Sequence, residues 1–305
     1  MNDTSTAVSS LGYVRVESTQ VAQWRHFALD VLGLMEGPAG ADGSLRLRVD
    51  ERPFRIAVIP GKTDRFLSSG WEFRSPTALE RCVASLESAG VRVRTGTPEE
   101  AAERLVSRLA FCSDPCGNSL ELYVGRSYDY APFSSARGLS GFVAGDQGMG
   151  HVVLPAPELE KARSFYQQHL GFADTDEMWL DMTGNPSDPR LGLYFLHAAN
   201  KRHHSLALMG APMPSGCVHI MLEARTLDDV GYALDRCMRA GAHISSSFGK
   251  HSNDFMLSFY VATPGGFDLE FGCHGLQPDW DTWVPTRSLV ADLWGHRWAP
   301  PPARG

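Results

Sequence analysis

The stretch "MGHVVLPAPELEKARSFYQQHLGF", residues 149–172, decides how this chain is built, because "LGYVRVESTQVAQWRHFALDVLGL", residues 11–34, lies against it without a gap. Phe27 meets Phe165, Leu32 meets Leu170 and Gly33 meets Gly171. Further along, "SSGWEFRSPTALERCVASLESAG" parallels "SGCVHIMLEARTLDDVGYALDRCMRAG", and "SDPCGNSLELYVG" (113–125) parallels "ATPGGFDLEFGCH" (262–274). A repeat of this length is a duplicated domain; a solenoid array would show many shorter periods.

Each copy reads as a strand ("YVRV", "HVVL"), a helix stopped by Gly33 or Gly171, several strands, a second helix and two closing strands. The spacing therefore predicts an α+β chain of two modules. A first domain spans residues 1–140, a Gly/Ser-rich linker covers 133–148, a second domain spans 148–275, and 276–305 form a C-terminal tail with Pro and Trp but no regular period. This arrangement resembles the vicinal-oxygen-chelate (glyoxalase) superfamily. The resemblance implies duplicated βαβββ modules, each a cup-like mixed sheet with outer helices, paired around a metal.

Composition narrows the function classes. With 305 residues, 43% hydrophobic and 21% charged, the chain is an ordinary globular one, long enough for two domains. A net charge of −7 argues against nucleic acid or an anionic membrane as partner. No run of 18 apolar residues suggests a membrane span, and the polar start "MNDTSTAVSS" lacks the features of a secretory signal. Six scattered cysteines fit a reducing cytoplasm better than a disulfide framework. Cys112 and Cys116 have no second ligand pair at zinc-site spacing.

The duplication lets each copy act as a control for the other. Between the copies, Tyr13 stands against His151, Trp71 against His219 and Glu121 against Glu270. Only the second copy thus carries two histidines and a glutamate, the donor set that holds non-heme Fe(II) on one face and leaves positions open. Zinc also accepts these ligands, so residue types alone do not fix the metal. A lone strand histidine is ordinarily a hydrogen-bonded core residue, and Glu121 shows that the glutamate persists without histidines. What favours a metal is the coincidence of all three in one copy. Other polar residues gather there too: His203 and His204 in "RHHSLAL", and His251, Asn253, Asp254 and Tyr260 in "GKHSNDFMLSFY". Their first-copy counterparts are apolar, Phe54 for His204 and Phe111 for Tyr260, so polar groups are expected in one cup and not the other. Strand alternation points His203 away from His204, and His26, His169, His243 and His296 read as helix, strand-end or tail residues. His197 and His274 either line the pocket or cap strands.

Together "GMGHVVL", "RHHSLAL", "VHIML", "GKHSNDFMLSFY" and "PGGFDLEFG" resemble the two-domain type I extradiol ring-cleavage dioxygenases. The resemblance implies Fe(II) held by His151, His219 and Glu270, and His204 as the acid–base catalyst near the oxygen site. His251 and Tyr260 would contact the substrate hydroxyls, with Asn253 and Asp254 beside them. It further implies a catecholic substrate with O2, a first domain whose metal site is degenerate, and a homo-oligomer between dimer and octamer. "DQGMGHVVL", "LSFYVATPGGFDLEFG" and "LWGH" look most like the branch acting on secosteroid catechols, with dihydroxybiphenyl and other bulky 3-substituted catechols as close competitors. Two other readings remain open: a non-redox glyoxalase-like isomerase or transferase, and a metal-free binding module. The first usually draws ligands from both modules, and the second needs none of these histidines.

Overall fold

The computed structural model describes residues 7–185 and 187–299. Most of the polar opening stretch (1–6) and the end of the tail (300–305) lie outside the described residues. Two mixed sheets form the body, one of eight strands and one of ten. Their shared plan follows from the repeat. The strand Val8–Ser18 pairs parallel to Ile56–Pro60 and antiparallel to Arg65–Phe73. The strand His151–Pro155 likewise pairs parallel to Leu206–Met209 and antiparallel to His219–Glu223.

Helices cover the outer faces. The helix Leu159–Leu170 ends at Gly171 (φ 74°), and the helical turn running through His26–Leu32 ends at Gly33 (φ 85°), the left-handed stop that glycine permits. Pro76–Ser88 starts at Ser75 and Leu227–Arg239 at Thr226, each cap accepting the N–H of the third helical residue. Apolar residues of both modules join one core. Trp71 stands edge-on to Phe172 at 5.1 Å, and Phe267 packs against both Trp24 and Phe66 at about 6 Å. The chain therefore shows the α+β glyoxalase-type architecture of paired βαβββ modules. Among the described residues no helix is long and apolar enough to cross a membrane.

Two expectations change. The register corrects the alignment of Trp71 with His219. Gly70 lies beside Glu121 as Met221 lies beside Glu270, and the caps Ser75 and Thr226 share the same offset, so the counterpart of His219 is Ser68. Trp71 faces the core instead. The tail, which shows no period, contributes two short strands. Thr286–Ser288 adds to the edge strand Ala173–Leu180, and Asp292–Trp294 adds to Ile244–His251 at the opposite edge of the same sheet.

Candidate metal centre

Backbone register sets up the site. His151, Met221, Glu270 and Tyr260 stand side by side on four neighbouring strands, and His219 lies two residues before Met221 on the same face. His151 Nε2 and His219 Nε2 lie 3.2 Å apart, and Glu270 Oε2 is 3.2 Å from the first and 3.4 Å from the second. Those edges are the ones spanned by three ligands each bonded at roughly 2.0–2.2 Å to one ion. One donor atom from each residue lies within 4.8 Å of the others. Two imidazoles and one carboxylate converging in a buried place fit a divalent transition metal with open positions. Burial pushes His151 down to about 4, which keeps it a neutral donor. Burial alone would raise Glu270, but hydrogen bonds from His151, His219 and His251 outweigh it and hold the carboxylate ionised.

Around this triad the cavity of about 270 Å³ has two kinds of wall. His204, His251, Asn253, Asp254 and Tyr260 all line it beside the triad, so every sequence-predicted site residue is brought together. The remaining wall is apolar, with Val153, Met178, Leu193, Phe195, Met209 and Trp298 among its residues. The His204 ring lies over His151 with centroids 4.0 Å apart and meets the Phe195 edge at 5.0 Å. Burial, with His151 and His203 adding repulsion, holds it well below 6.5, so it is neutral at physiological pH. Tyr260 Oη and His251 Nε2 are 2.7 Å apart. Burial, reinforced by the charges of Glu270 and Asp254, keeps the Tyr260 phenol protonated. Asp254 is raised mainly by burial and accepts the Met256 N–H at 3.0 Å.

Several residues stand differently from their sequence reading. His203 precedes the strand Leu206–Met209 rather than lying in it, so alternation does not apply. Its Nδ1 lies 3.1 Å from His204 Nδ1, and both rings are buried. His296 is buried beneath His251, ring centroids 4.1 Å apart, and shares Asp292 with it. The sequence offers no signal for Asp292, and it places His296 only in the tail. His197 stacks on Trp280 at 3.6 Å, while His274 is exposed with φ 61°. Asp268, on the same face as Glu270, is half-buried and accepts the Ser245 hydroxyl at 2.6 Å.

The first cup is not apolar, contrary to expectation. Glu121 is buried and accepts from Tyr13 (2.7 Å), Ser68 (2.8 Å), Arg104 (3.0 Å) and Arg15 (3.2 Å). Two guanidinium groups there answer the carboxylate charge, and among the described residues the first module brings together no metal-ligating group of three. Its broad groove of about 720 Å³ is lined by these same ion pairs.

Comparison with known proteins agrees with this geometry. Residues 148–271 match the Glyoxalase/Bleomycin resistance protein/Dioxygenase superfamily, and residues 11–61 match Dihydroxybiphenyl dioxygenase BphC D1. The fold and the buried His/His/Glu cluster thus define a dioxygenase-type member of that superfamily. The chain is 41% identical to the iron-dependent extradiol dioxygenase of Rhodococcus jostii (strain RHA1), over 95% of this chain and 97% of that one. It is 40% identical to the biphenyl-2,3-diol 1,2-dioxygenase of Paraburkholderia xenovorans (strain LB400), over 95% and 96%. The crystal structure of BphC, a halotolerant catechol dioxygenase, superposes with a TM-score of 0.89 at 35% identity, covering 97% of this chain and 96% of that chain. The chain belongs to the type I extradiol ring-cleavage dioxygenases, and is an oxidoreductase of the catechol dioxygenase kind.

Proposed function

We propose that this extradiol dioxygenase holds Fe(II) through His151, His219 and Glu270 and opens a bulky 3-substituted catechol next to its hydroxyls, with O2 as co-substrate. A secosteroid catechol or a 2,3-dihydroxybiphenyl is the substrate type, in aromatic or steroid degradation. The observation that carries this reading is the His/His/Glu triad set in a cavity whose remaining wall is apolar. That wall suits a hydrophobic ring substituent held away from the polar residues. A non-redox isomerase drawing ligands from both modules is not favoured, because Glu121 is answered by arginines.

Iron, when bound, supplies the chelation of the two catechol oxygens and the activation of O2. The residues supply position and protons. Tyr260, protonated, donates to a catechol oxygen, and His251 beside it fixes where that oxygen sits. Neutral His204 has Nδ1 engaged by His203, which leaves Nε2 to take a substrate proton and return it during ring opening. Asn253 and Asp254 complete the polar wall, while Met178 and Phe195 exclude water from the reacting ring. In this reading residues 1–140 form the non-catalytic domain, residues 148–275 the catalytic one, and the tail 276–305 a third segment.

The same proposal extends to assembly and location. Val284, Leu289, Val290, Leu293, Trp294 and Trp298 are exposed apolar residues of the tail, which supports a homo-oligomer, between dimer and octamer, burying them. Six free cysteines, five of them buried, support a reducing cytoplasmic location.

The test is anaerobic loading with ferrous iron, followed by O2 uptake and the absorbance of a yellow ring-fission product. kcat/KM is compared for a secosteroid catechol, 2,3-dihydroxybiphenyl and unsubstituted catechol. Unsubstituted catechol outperforming both bulky substrates would sink the substrate assignment, and no O2 uptake with any catechol would sink the activity.

A further inference from the structure

We propose that Asp292, delivered by the C-terminal tail, is a positioning residue that fixes the His251 imidazole, with His296 as its anchor; the inference rests on the reading of His251 as a substrate contact. Asp292 stands opposite His251 in the pairing between Asp292–Trp294 and Ile244–His251. Its Oδ1 lies 2.8 Å from His251 Nδ1 and 2.6 Å from His296 Nδ1, so an ionised carboxylate accepts from both rings. Hydrogen bonds from the two imidazoles hold Asp292 down to about 2, despite partial burial. Protonation at Nδ1 aims His251 Nε2 at Tyr260 Oη, 2.7 Å away. A carboxylate that orients one ring nitrogen sets both the tilt of the imidazole and which nitrogen faces the substrate.

His296 is itself tied down. Its Nε2 lies 3.1 Å from the Ser258 carbonyl and 3.2 Å from Ser258 Oγ, and that hydroxyl donates to Glu270 Oε1 at 2.7 Å. His251 Nε2 is 3.4 Å from the same Oε1. The contacts form a closed ring from Glu270 through Ser258, His296, Asp292 and His251 back to Glu270. It uses the glutamate oxygen that faces away from the two ligand histidines.

Two glycines make this approach possible. A Cβ on Gly249 would lie 2.4 Å from the His296 nitrogen, and Gly295 (φ 79°) would place one 2.3 Å from the Phe248 carbonyl. Only at such positions can the tail lie directly on the strand. The tail therefore belongs to the site and is more than a cover.

The experiment is a double-mutant cycle on the iron-loaded protein, with a separate spectroscopic readout on the metal-free protein. Asp292→Ala should lower kcat/KM for 2,3-dihydroxybiphenyl by about 10–100-fold with iron content unchanged. In a His251→Ala background the same substitution should cost less than about twofold, because its effect passes through that ring. Asp292→Asn, which keeps the shape, is read in parallel in case the alanine variant does not fold. In metal-free protein the 15N shift of His251 Nδ1 should be of the protonated type and should move on Asp292→Ala. An equal penalty in both backgrounds, or an unmoved Nδ1 shift, overturns the proposal. If the wild-type protein cleaved no catechol, the functional reading would fail, while the Nδ1 shift would still decide the Asp292–His251 link.

Discussion

Tyr13 donates its phenol to Glu121 Oε2 at 2.7 Å, standing where His151 stands 3.2 Å from Glu270 Oε2 in the other copy. One strand position in each module thus meets the equivalent carboxylate, once with a phenol and once with an imidazole. Around Glu121 the charge is answered by Arg15 and Arg104; around Glu270 it is answered by imidazoles that converge on one point. The two cups share a backbone and differ in what neutralises their glutamate.

That difference predicts how the second cup fails. His219→Ala removes one of the three ligands proposed for iron, so iron content should fall well below one per chain and kcat/KM by more than about a hundredfold. Metal analysis beside steady-state kinetics checks both. Full activity with full iron would mean the triad is misassigned.

The first cup should matter to stability. Burial raises the pKa of Glu121, but Arg104 and Arg15 outweigh it and leave the carboxyl below its ordinary value of 4.5. A depressed folded-state value stabilises above the ordinary one, and that contribution is lost as pH falls through the lowered value. Glu121→Gln should therefore cost about 3 kcal/mol near neutral pH, by leaving buried guanidinium charge poorly answered. It should also flatten the acid limb of the stability curve. Urea midpoints at several pH values measure this, and a variant with the wild-type pH dependence would contradict it.

His204 should be separable from metal binding. Its ring lies over His151 but supplies no atom to the triad, so His204→Ala should keep iron and lower kcat by about 10²–10⁴-fold. Parallel loss of iron and rate would instead make it a structural support for His151.

Selectivity should lie in the apolar wall. Met178 is buried, lines the cavity and is paired to Leu193 across the sheet. Met178→Trp should raise KM for 2,3-dihydroxybiphenyl by about tenfold or more and leave unsubstituted catechol nearly unchanged. Equal effects on both substrates would place the ring substituent elsewhere.

Much of this was legible because duplication supplies a comparison inside one chain. Matching glycines at 33 and 171 set the repeat, and the pairing of Glu121 with Glu270 singles out the glutamate position. Ring type alone sets His219 against Trp71, whereas its small true counterpart, Ser68, offers no such signal. The first cup looked apolar because Arg15 and Arg104 reach it from positions that an alignment of second-copy histidines never compares. Asp292 carries no sequence signal and His296 reads only as a tail residue, because Asp292–Trp294 has only three residues, too few to display alternation, and because their partners come from strands far away in sequence.

The tail strands sit on opposite edges of the ten-stranded sheet, joined by residues 289–291. An open sheet has two free margins that can splay apart; here a single short segment buckles both together across the mouth of the cup. Any widening of the second cup to admit a larger ring system must therefore stretch or release that buckle. Substrate breadth in this enzyme should then be bounded by residues 286–294 as much as by the side chains inside the cup.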